Sequence, residues 1–406
     1  MARRVARPGG LSVRLSPATL PALQAALVAA GLDGWLLYDF RGCNSIAAGL
    51  IGVEGMATRR LFAFVPAHGT PVAVQHAIEP GPFRHWPAEW PRRVYASWQE
   101  LEAAVAALVG GRRVAMEYSP GDAVPVVDRV PAGVIEMVRA AGATVVTSAG
   151  LITGAFATWT ADDLTSHERT AETLAAIAAE AFRRIGAAVR AGTPVYEHEI
   201  QAGIRAAFDA RGLVTDHGPN VSAGAHAADP HYEPSSEVPR AFADGDVVLI
   251  DLWAHEPDGM WADQTWMAVL GPPAAQQSAV WEAIRDARDA AIATLTDALA
   301  AGRPVTGAAA DDAARAVIAA RGFGPWFTHR TGHSIDRRGL HGAGPNLDNL
   351  ETRDGRTLVP GCGFSIEPGV YLPGAFGMRT EVNGVVLPDG TLRITPGRLQ
   401  RDLVVL

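Results

Sequence analysis

The stretch "FSIEPGVYLPGAFGMRTEVNGVV" (Phe364–Val386) holds two apolar runs around a turn signal, Leu372-Pro373-Gly374, and each run carries one glutamate. Glu367 and Glu381 both lie seven residues from Gly374. An antiparallel hairpin folded about that glycine sets the two carboxylates opposite each other, about 5 Å apart at Cβ, where like charges repel. Something has to offset that repulsion.

A second segment, "GDVVLIDLWAHEPDGMWADQTWMAVLG" (Gly245–Gly271), repeats the conflict. Asp251 closes the apolar run Val247–Ile250, a Pro257-Asp258-Gly259 turn follows, and Asp263 comes next. Both aspartates are six residues from Pro257, so a hairpin centred there is expected to set them side by side. Four converging carboxylates in an apolar setting protonate or force the site apart. Divalent cations remove the conflict because they become the largest local charge, and four carboxylates can bridge two of them. The segment "FTHRTGHSIDRRGLHGAG" (Phe327–Gly344) offers His329, His333 and His341 between glycine-rich turns. Oxygen ligands joined by an imidazole suit Mn²⁺, Zn²⁺, Fe²⁺ or Co²⁺.

The remaining bulk features narrow the class. At 406 residues, two domains are expected. Hydrophobic residues make up 48% and charged residues 19%, a composition that supports a sizeable core. No apolar run approaches the ~18–20 residues of a membrane span. The start "MARRVARPGG" is basic without an apolar run behind it, so no signal peptide is expected. Two cysteines, Cys43 and Cys362, point to a reducing compartment rather than a disulfide framework. A net charge of −8 without a basic block makes nucleic acid and anionic membrane poor partners. The expected location is the cytoplasm.

Along the chain, residues 1–158 alternate helix and strand signals. Ser16 and Pro17 open an amphipathic helix that ends at Gly31, and "GWLLYDF" follows as a strand. "RRLFAFVPAHGTPVAVQHAI" reads as a hairpin, "SWQELEAAVAALVGG" as a helix and "RRVAMEY" as a strand. This is a small α/β domain, and without a glycine-rich phosphate loop after a strand it is assigned no nucleotide. Its "PFRHWPAEWP" segment (Pro82–Pro91) reads as a loop with packed rings, or as a partner-contact surface.

Residues 159–406 change to long alanine-rich helices and apolar strands carrying charges. "AGTPVYEHEIQAGIRAAFDARG" (Ala191–Gly212) and "AGRPVTGAAADDAARAVIAARG" (Ala301–Gly322) align without gaps at an offset of 110 residues. Each reads as a helix end, a Gly-Pro break, a second helix and a closing glycine. A duplicated helix–helix–strand unit follows, whose halves can face each other and build a site between them.

The order Asp251, Asp263, His333, Glu367, Glu381 in these contexts resembles the pita-bread metallopeptidases: methionine aminopeptidase, Xaa-Pro aminopeptidase and prolidase, with creatinase a relative. The resemblance implies an α/β (α+β) fold with a creatinase-like N-terminal domain, residues 1–158, and a pita-bread domain, residues 159–406. It implies that Asp251 in "LIDLW", Asp263 in "ADQT", His333 in "TGHSI", Glu367 in "SIEPG" and Glu381 in "RTEV" hold two divalent ions, Mn²⁺ first and Zn²⁺, Co²⁺ or Fe²⁺ next, with Asp263 and Glu381 bridging. By the same resemblance His231 in "DPHYEP" contacts substrate and leaving group, and His341 contacts the scissile carbonyl. Glu367 also moves a proton, Arg379 stands near the site and His329 forms a pocket wall.

The implied activity is hydrolysis of Xaa-Pro bonds at the amino end of peptides. Aminopeptidase is preferred over prolidase because no added basic cluster suggests a clamp for a dipeptide's carboxylate. The alternatives are prolidase itself and a metal-dependent hydrolase or lyase acting on other substrates. A homodimer is implied, with "PFRHWPAEWP" as the expected aromatic interface. The sequence also departs from the family's pattern. Ser334 and Asp336 follow the histidine ligand motif, His341 comes eight residues after His333 where seven is usual, the Asp251–Asp263 gap is one residue longer than usual, and Trp266 stands where arginine is common.

Overall fold

The structure, a computed structural model, describes residues 14–55, 57–337 and 339–406; the "MARRVARPGG" start lies outside them. The chain divides into two units, Met1–Phe156 and Ala157–Leu406.

In the first unit, helix α1 (Leu20–Ala29) starts later than Ser16-Pro17 suggests. Ser16 and Thr19 tie their hydroxyls into a preceding turn, where Thr19 Oγ1 donates to the Arg14 carbonyl at 2.5 Å. Pro21 then occupies the first helical turn, where its missing N–H would have had no partner anyway. There follow β1 (Gly34–Asp39), α2 (Ser45–Ile51), β2 (Leu61–Pro66), β3 (Val72–His76), β4 (Arg92–Tyr95), α3 (Trp98–Val109), β5 (Arg113–Met116), α4 (Ala132–Ala140), β6 (Thr144–Thr147) and α5 (Ala149–Phe156). They build one sheet of order β4-β3-β2-β1-β5-β6. The expected hairpin is β2–β3, with Phe62 opposite Val74. Helix α3 opens on a capping box, Ser97 Oγ accepting from the Glu100 N–H at 3.2 Å and Glu100 accepting from the Ser97 N–H at 3.1 Å.

The "PFRHWPAEWP" segment does not offer the aromatic interface expected of it. Phe83, Trp86 and Trp90 are buried and meet edge to face, at 5.3 Å and 5.0 Å between ring centroids. Packing the rings against one another removes their apolar area from water within the unit itself.

The carboxyl of Glu117, just past β5, is fully buried. It accepts from Trp35 Nε1 at 2.5 Å, Asn44 Nδ2 at 2.7 Å and Ser148 Oγ at 3.2 Å. Burial pushes its pKa up to about 7, although all three donors favour the charged form. The native state therefore holds a proton that the unfolded chain releases near 4.5. Its contribution to stability should fall as pH rises from about 4.5 to 7 and stay flat above, by at most about 3 kcal/mol. Glu117→Gln should remove that slope. Urea midpoints at pH 5 and pH 8 check this, and a slope retained in the variant would assign it to another group.

The second unit runs α6 (Ala161–Arg190), α7 (Glu197–Ala210), β7 (Asn220–Ala223), β8 (Val247–Ala254), β9 (Ala262–Val269), then α8 (Ala275–Ala300), α9 (Gly307–Ala320), β10 (Ser334–Ile335), β11 (Gly363–Ile366), β12 (Gly369–Leu372), β13 (Phe376–Arg379), β14 (Val382–Val386), β15 (Leu392–Thr395) and β16 (Val404–Val405). Helices α7 and α9 begin at 197 and 307 and end at 210 and 320, so the 110-residue repeat is a repeat of structure. Each helix pair is followed by antiparallel strands, β7-β8-β9 in one half, with β16 from the end of the chain added parallel to β9, and β10-β11-β14-β15 in the other. No described helix is long and apolar enough to cross a membrane.

Strand alternation in β8 decides where the charge goes. Val248, Ile250, Leu252 and Ala254 pack with α6 and α7, including Leu174, Ile177, Ile204 and Phe208. Val247 and Leu249 point the other way and pack with α8, α9 and β11 of the second half. Asp251 and Trp253 continue that second face. The apolar period therefore delivers an aspartate to the seam between the halves.

Both glutamates fall where the opening segment places them. Leu372↔Phe376 through Gly369↔Arg379 join β12 to β13, and Ile366↔Val382 through Gly363↔Val385 join β11 to β14. Both ladders centre on Gly374, at φ +76, and Glu367 lies opposite Glu381 in the gap between them. The aspartate hairpin differs. Asp251 pairs with Thr265 and Trp253 with Asp263, because the loop runs from His255 to Trp261 and is centred on Asp258, at φ +61, not on Pro257. The aspartates are diagonal neighbours. An even shift in register keeps them on one face.

Candidate functional site

A cavity of about 900 Å³ in the second unit is bordered by all nine side chains singled out in the sequence: His231, Asp251, Asp263, His329, His333, His341, Glu367, Arg379 and Glu381. At its floor, one ligand atom from each of Asp263, His333 and Glu381 lies within 4.8 Å of the others. His333 Nε2 is 3.3 Å from Asp263 Oδ2 and 3.6 Å from Glu367 Oε1. Asp251 borders the same space but is ion-paired with Arg379.

The histidine loop is held from both sides. On α9, Asp311 accepts from the Thr331 N–H and hydroxyl, at 2.9 and 2.6 Å, and pairs with Arg315 at 2.7 Å. Arg315 in turn donates to the carbonyls of Phe327 and His329. On β11, Ser365 Oγ accepts from the His333 N–H at 2.9 Å and donates to Glu367 Oε1 at 2.9 Å. Gly332 passes so close to this strand that a Cβ there would sit 2.0 Å from the Ser365 carbonyl oxygen. These contacts fix the backbone from which the His333 side chain projects.

The electrostatics of this floor are those of a cation site. Burial raises the pKa of Asp251, Asp263 and Glu381, and the neighbouring carboxylates add to it. Burial also acts on Glu367, but the Arg379 guanidinium and the Ser365 hydroxyl favour its charged form, and the carboxyl lies below its usual range. Two details test whether a divalent ion fits. Glu381 Oε1 is buried without a hydrogen-bond partner among the described residues. His333 Nδ1 lies 3.2 Å from the Ser334 carbonyl and so carries the proton, which leaves the Nε2 lone pair facing carboxylate oxygens. Acceptors facing acceptors repel unless a cation stands between them. The residues present fit the ion.

The accessory groups take distinct places. Arg379 is buried, donating to Asp251 and, at 2.9 Å, to Thr265 Oγ1. Thr265 passes that bond on, donating to Glu381 Oε2 at 2.8 Å. His329 Nδ1 donates to the Arg330 carbonyl at 2.7 Å, so its Nε2 accepts from the Tyr371 hydroxyl at 2.8 Å. With both nitrogens engaged, the ring meets the cavity as a wall. His341 is exposed at the mouth, its ring 4.2 Å from that of His333, which lowers its pKa. His231 is exposed on a loop whose base is tied down by buried Glu197, which accepts from the Tyr232 hydroxyl at 2.6 Å and the Ala223 N–H at 2.7 Å.

The sequence reading overlooked Thr265, Ser365 and Tyr371. Thr265 was legible as the residue two after Asp263 on the same strand face. Ser365 and Tyr371 carry no signal until the fold shows what stands opposite them. Of the departures from the family's pattern, Asp336 is buried and accepts from the Ala343 N–H at 2.9 Å, so it anchors the longer turn that carries His341. Trp266 donates Nε1 to Gln264 at 2.9 Å and packs with the α6–α7 core, on the strand face away from Asp263 and Thr265.

The duplicated halves, their paired hairpins and the carboxylate-lined cavity define a pita-bread protein. The chain belongs to metallopeptidase family M24, whose model matches residues 170–388. Among curated relatives, the probable dipeptidase PepE of Mycobacterium tuberculosis is 32% identical over 225 residues, 53% of this chain and 56% of that protein. The Xaa-Pro dipeptidase of Lactobacillus helveticus is 33% identical over 186 residues, 46% of each chain. The chain thus matches about half the length of these relatives. The crystal structure of dipeptidase PepE from Mycobacterium ulcerans superposes with a TM-score of 0.71 at 25% identity, covering 97% of this chain and 99% of that one.

The unpartnered Oε1 of Glu381 gives a test with a sign. Glu381→Gln removes one of four crowded carboxyls, so the metal-free variant should be at least as stable as the metal-free parent near pH 8. It should also lose the rise in melting temperature that a divalent cation gives the parent, which corresponds to about 2.7 kcal/mol at a hundredfold excess over Kd. Thermal melts with chelator and with added Mn²⁺ read both effects; a full cation response in the variant would place the ion elsewhere.

Proposed function

We propose that this protein is a dinuclear-metal-dependent peptidase that hydrolyses Xaa-Pro bonds at the free amino end of short peptides. The observation that carries the reading is the crowding of buried Asp251, Asp263, Glu381 and His333 with part-buried Glu367 on the floor of an open cavity. These five side chains would hold two divalent ions, Mn²⁺ first, with Zn²⁺, Co²⁺ or Fe²⁺ able to substitute. When bound, such ions supply Lewis-acid polarisation of a carbonyl and lower the pKa of water towards neutrality.

The chain's own residues do the rest. Glu367 is the one part-buried member of the four carboxylates and borders the open cavity. It is placed to take the proton from the attacking water and return it. His341, at the mouth, is placed to donate to the scissile carbonyl oxygen, and His231, on the opposite loop, to support the leaving nitrogen. Arg379 holds Asp251 and, through Thr265, Glu381 in position. A proline bond suits this arrangement because its nitrogen has no N–H and its ring fixes φ, so recognition depends on the ring and the free amino end.

A dipeptide substrate is the second reading. The names of the relatives favour it, and Arg330 borders the cavity with its guanidinium 3.6 Å from Glu351, a long pair that leaves a cation near the space a carboxylate would occupy. Ala-Pro and Ala-Pro-Ala, offered with Mn²⁺ beside creatine, separate the cases. Cleavage of the tripeptide at Ala-Pro supports the aminopeptidase, and cleavage of the dipeptide alone supports the prolidase. Turnover of another C–N substrate with neither peptide cut rejects the peptidase. Metal analysis should find close to two ions per chain at saturation. His231→Ala should keep them while losing about 10²–10⁴-fold in kcat; a wild-type rate would remove His231 from the mechanism.

We further propose a cytoplasmic homodimer. A reducing compartment suits the free Cys43 and Cys362. With the aromatic loop buried, the support for pairing moves to the sheet edge at β4, around which Ile78, Val94 and Trp98 are 66%, 60% and 59% exposed. Light scattering at micromolar concentration should return twice the chain mass of 42.6 kDa, and Val94→Lys should reduce it. A monomer that remains active rejects the pairing.

A further inference from the structure

One part of the cavity has no role in the chemistry above. Trp253 pairs directly with Asp263 across β8 and β9, so the indole and that carboxylate leave the sheet on the same face. The ring is held at its edge, Nε1 donating to Asp216 Oδ1 at 2.8 Å. Asp216 is itself placed by a two-bond bridge between Val214 and His255, both at 2.9 Å, which ties its loop to the end of β8. Trp253 also packs on a buried apolar cluster of Trp159, Met260, Trp261, Ile335 and Val385. Leu340, the residue before His341, packs on the same cluster, and both side chains border the cavity. A half-buried indole and a half-buried leucine, backed by core and edging the same open space, form a rigid apolar surface beside the candidate metal ligands.

We propose that Trp253 and Leu340 form the wall of a substrate subsite that takes the side chain of the residue before the scissile bond and favours large apolar or aromatic side chains there. The proposal rests on the Xaa-Pro reading, in which the ring on the other side of the bond is fixed and the residue before it is free to vary. An indole offers a flat apolar face at low conformational cost, and aromatic or aliphatic groups gain from stacking on it. A glycine or alanine in the same place leaves that face wet. Asp216 acts as a positioning residue, keeping the ring from rotating into the cavity.

The test compares Phe-Pro and Gly-Pro, each also as the tripeptide ending in alanine, on wild type, Trp253→Ala, Trp253→Phe, Leu340→Ala and Asp216→Asn. Metal content and melting temperature are read for every variant. Wild type should prefer the phenylalanyl substrates. Trp253→Ala should lower the ratio of kcat/KM values about tenfold or more, chiefly through KM for the phenylalanyl substrate. Trp253→Phe should retain most of the ratio, with Leu340→Ala and Asp216→Asn in between. A wild type without the preference, a ratio that stays within twofold in Trp253→Ala, or an equal fall in kcat for both substrates overturns the wall while leaving the peptidase reading intact. Calorimetric binding of Phe-Pro and Gly-Pro to the chelated protein needs no turnover. Discrimination there that Trp253→Ala abolishes upholds the wall even where wild type cuts neither peptide, and equal binding of the two overturns it.

Discussion

The repulsion among four carboxylates, three of them buried and Glu367 part-buried, is the constraint on which the second unit depends. Left to itself, each group would either keep its proton or move out to water, because an ion in an apolar interior is costly unless it is paired. The protein prevents the second response mechanically. Asp251 and Asp263 stand on paired strands, and Glu367 and Glu381 sit in the gap between two ladders that share one register. The backbones of Asp251 and Asp263 cannot shift without breaking the β8–β9 ladder, and those of Glu367 and Glu381 are flanked on both sides by paired strands. Part of the charge is met internally by Arg379, buried against Asp251 and Thr265. The remainder, including the Glu381 oxygen that has no hydrogen-bond partner among the described residues, is not met by the chain's own described groups.

Holding a strained arrangement requires a scaffold that is stiff where the charge is. Both helix pairs press apolar faces on the sheets that carry the carboxylates, through α6 and α7 on one side and α8 and α9 on the other. Close-packed interiors resist the sub-ångström shifts that would relax the cluster. Loops carry the imidazoles, and there the stiffness comes from polar ties: Asp311 and Arg315 beneath His329 and His333, Asp336 beneath the turn to His341, Glu197 beneath the loop of His231. Each tie satisfies backbone groups that burial would otherwise leave unpaired. Positioning and stability are served by the same bonds.

Much of this was legible in the sequence because it follows from period and symmetry. The Glu367–Glu381 register needed only the position of Gly374, and the 110-residue repeat needed only an alignment of the chain with itself. The aspartate hairpin was read two residues out of register because Pro257-Asp258-Gly259 suggested a tight turn. The structure instead uses a seven-residue loop in which Asp258, not the glycine, takes the left-handed conformation. Turn chemistry fixes where a chain reverses less firmly than alternation fixes which face a side chain takes. For the aromatic loop the packed-ring reading holds and the interface reading does not, because composition shows that Phe83, Trp86 and Trp90 want burial but not whether a partner or their own unit provides it. Thr265, Ser365 and Tyr371 act through partners that the fold sets beside them, Glu381 for Thr265, His333 for Ser365 and His329 for Tyr371, and one-dimensional pattern does not carry that.

The same two-residue difference separates the roles of the two hairpins. In the glutamate hairpin the charged residues face each other, so both converge on one point, and Ser365 and Thr265 must support them from outside. In the aspartate hairpin the register sets Thr265 opposite Asp251 and Trp253 opposite Asp263. Each aspartate thus gains a neighbour that the symmetric arrangement would have denied it. Thr265 relays Arg379 to Glu381, which links the two hairpins. Trp253 places an apolar surface next to a candidate bridging carboxylate, where a second carboxylate would otherwise have stood. An arrangement with both pairs directly opposed would have concentrated more charge at one point and left no apolar edge to the cavity. The duplicated fold supplies the charge, and the asymmetry between its hairpins gives the cavity an apolar edge beside it.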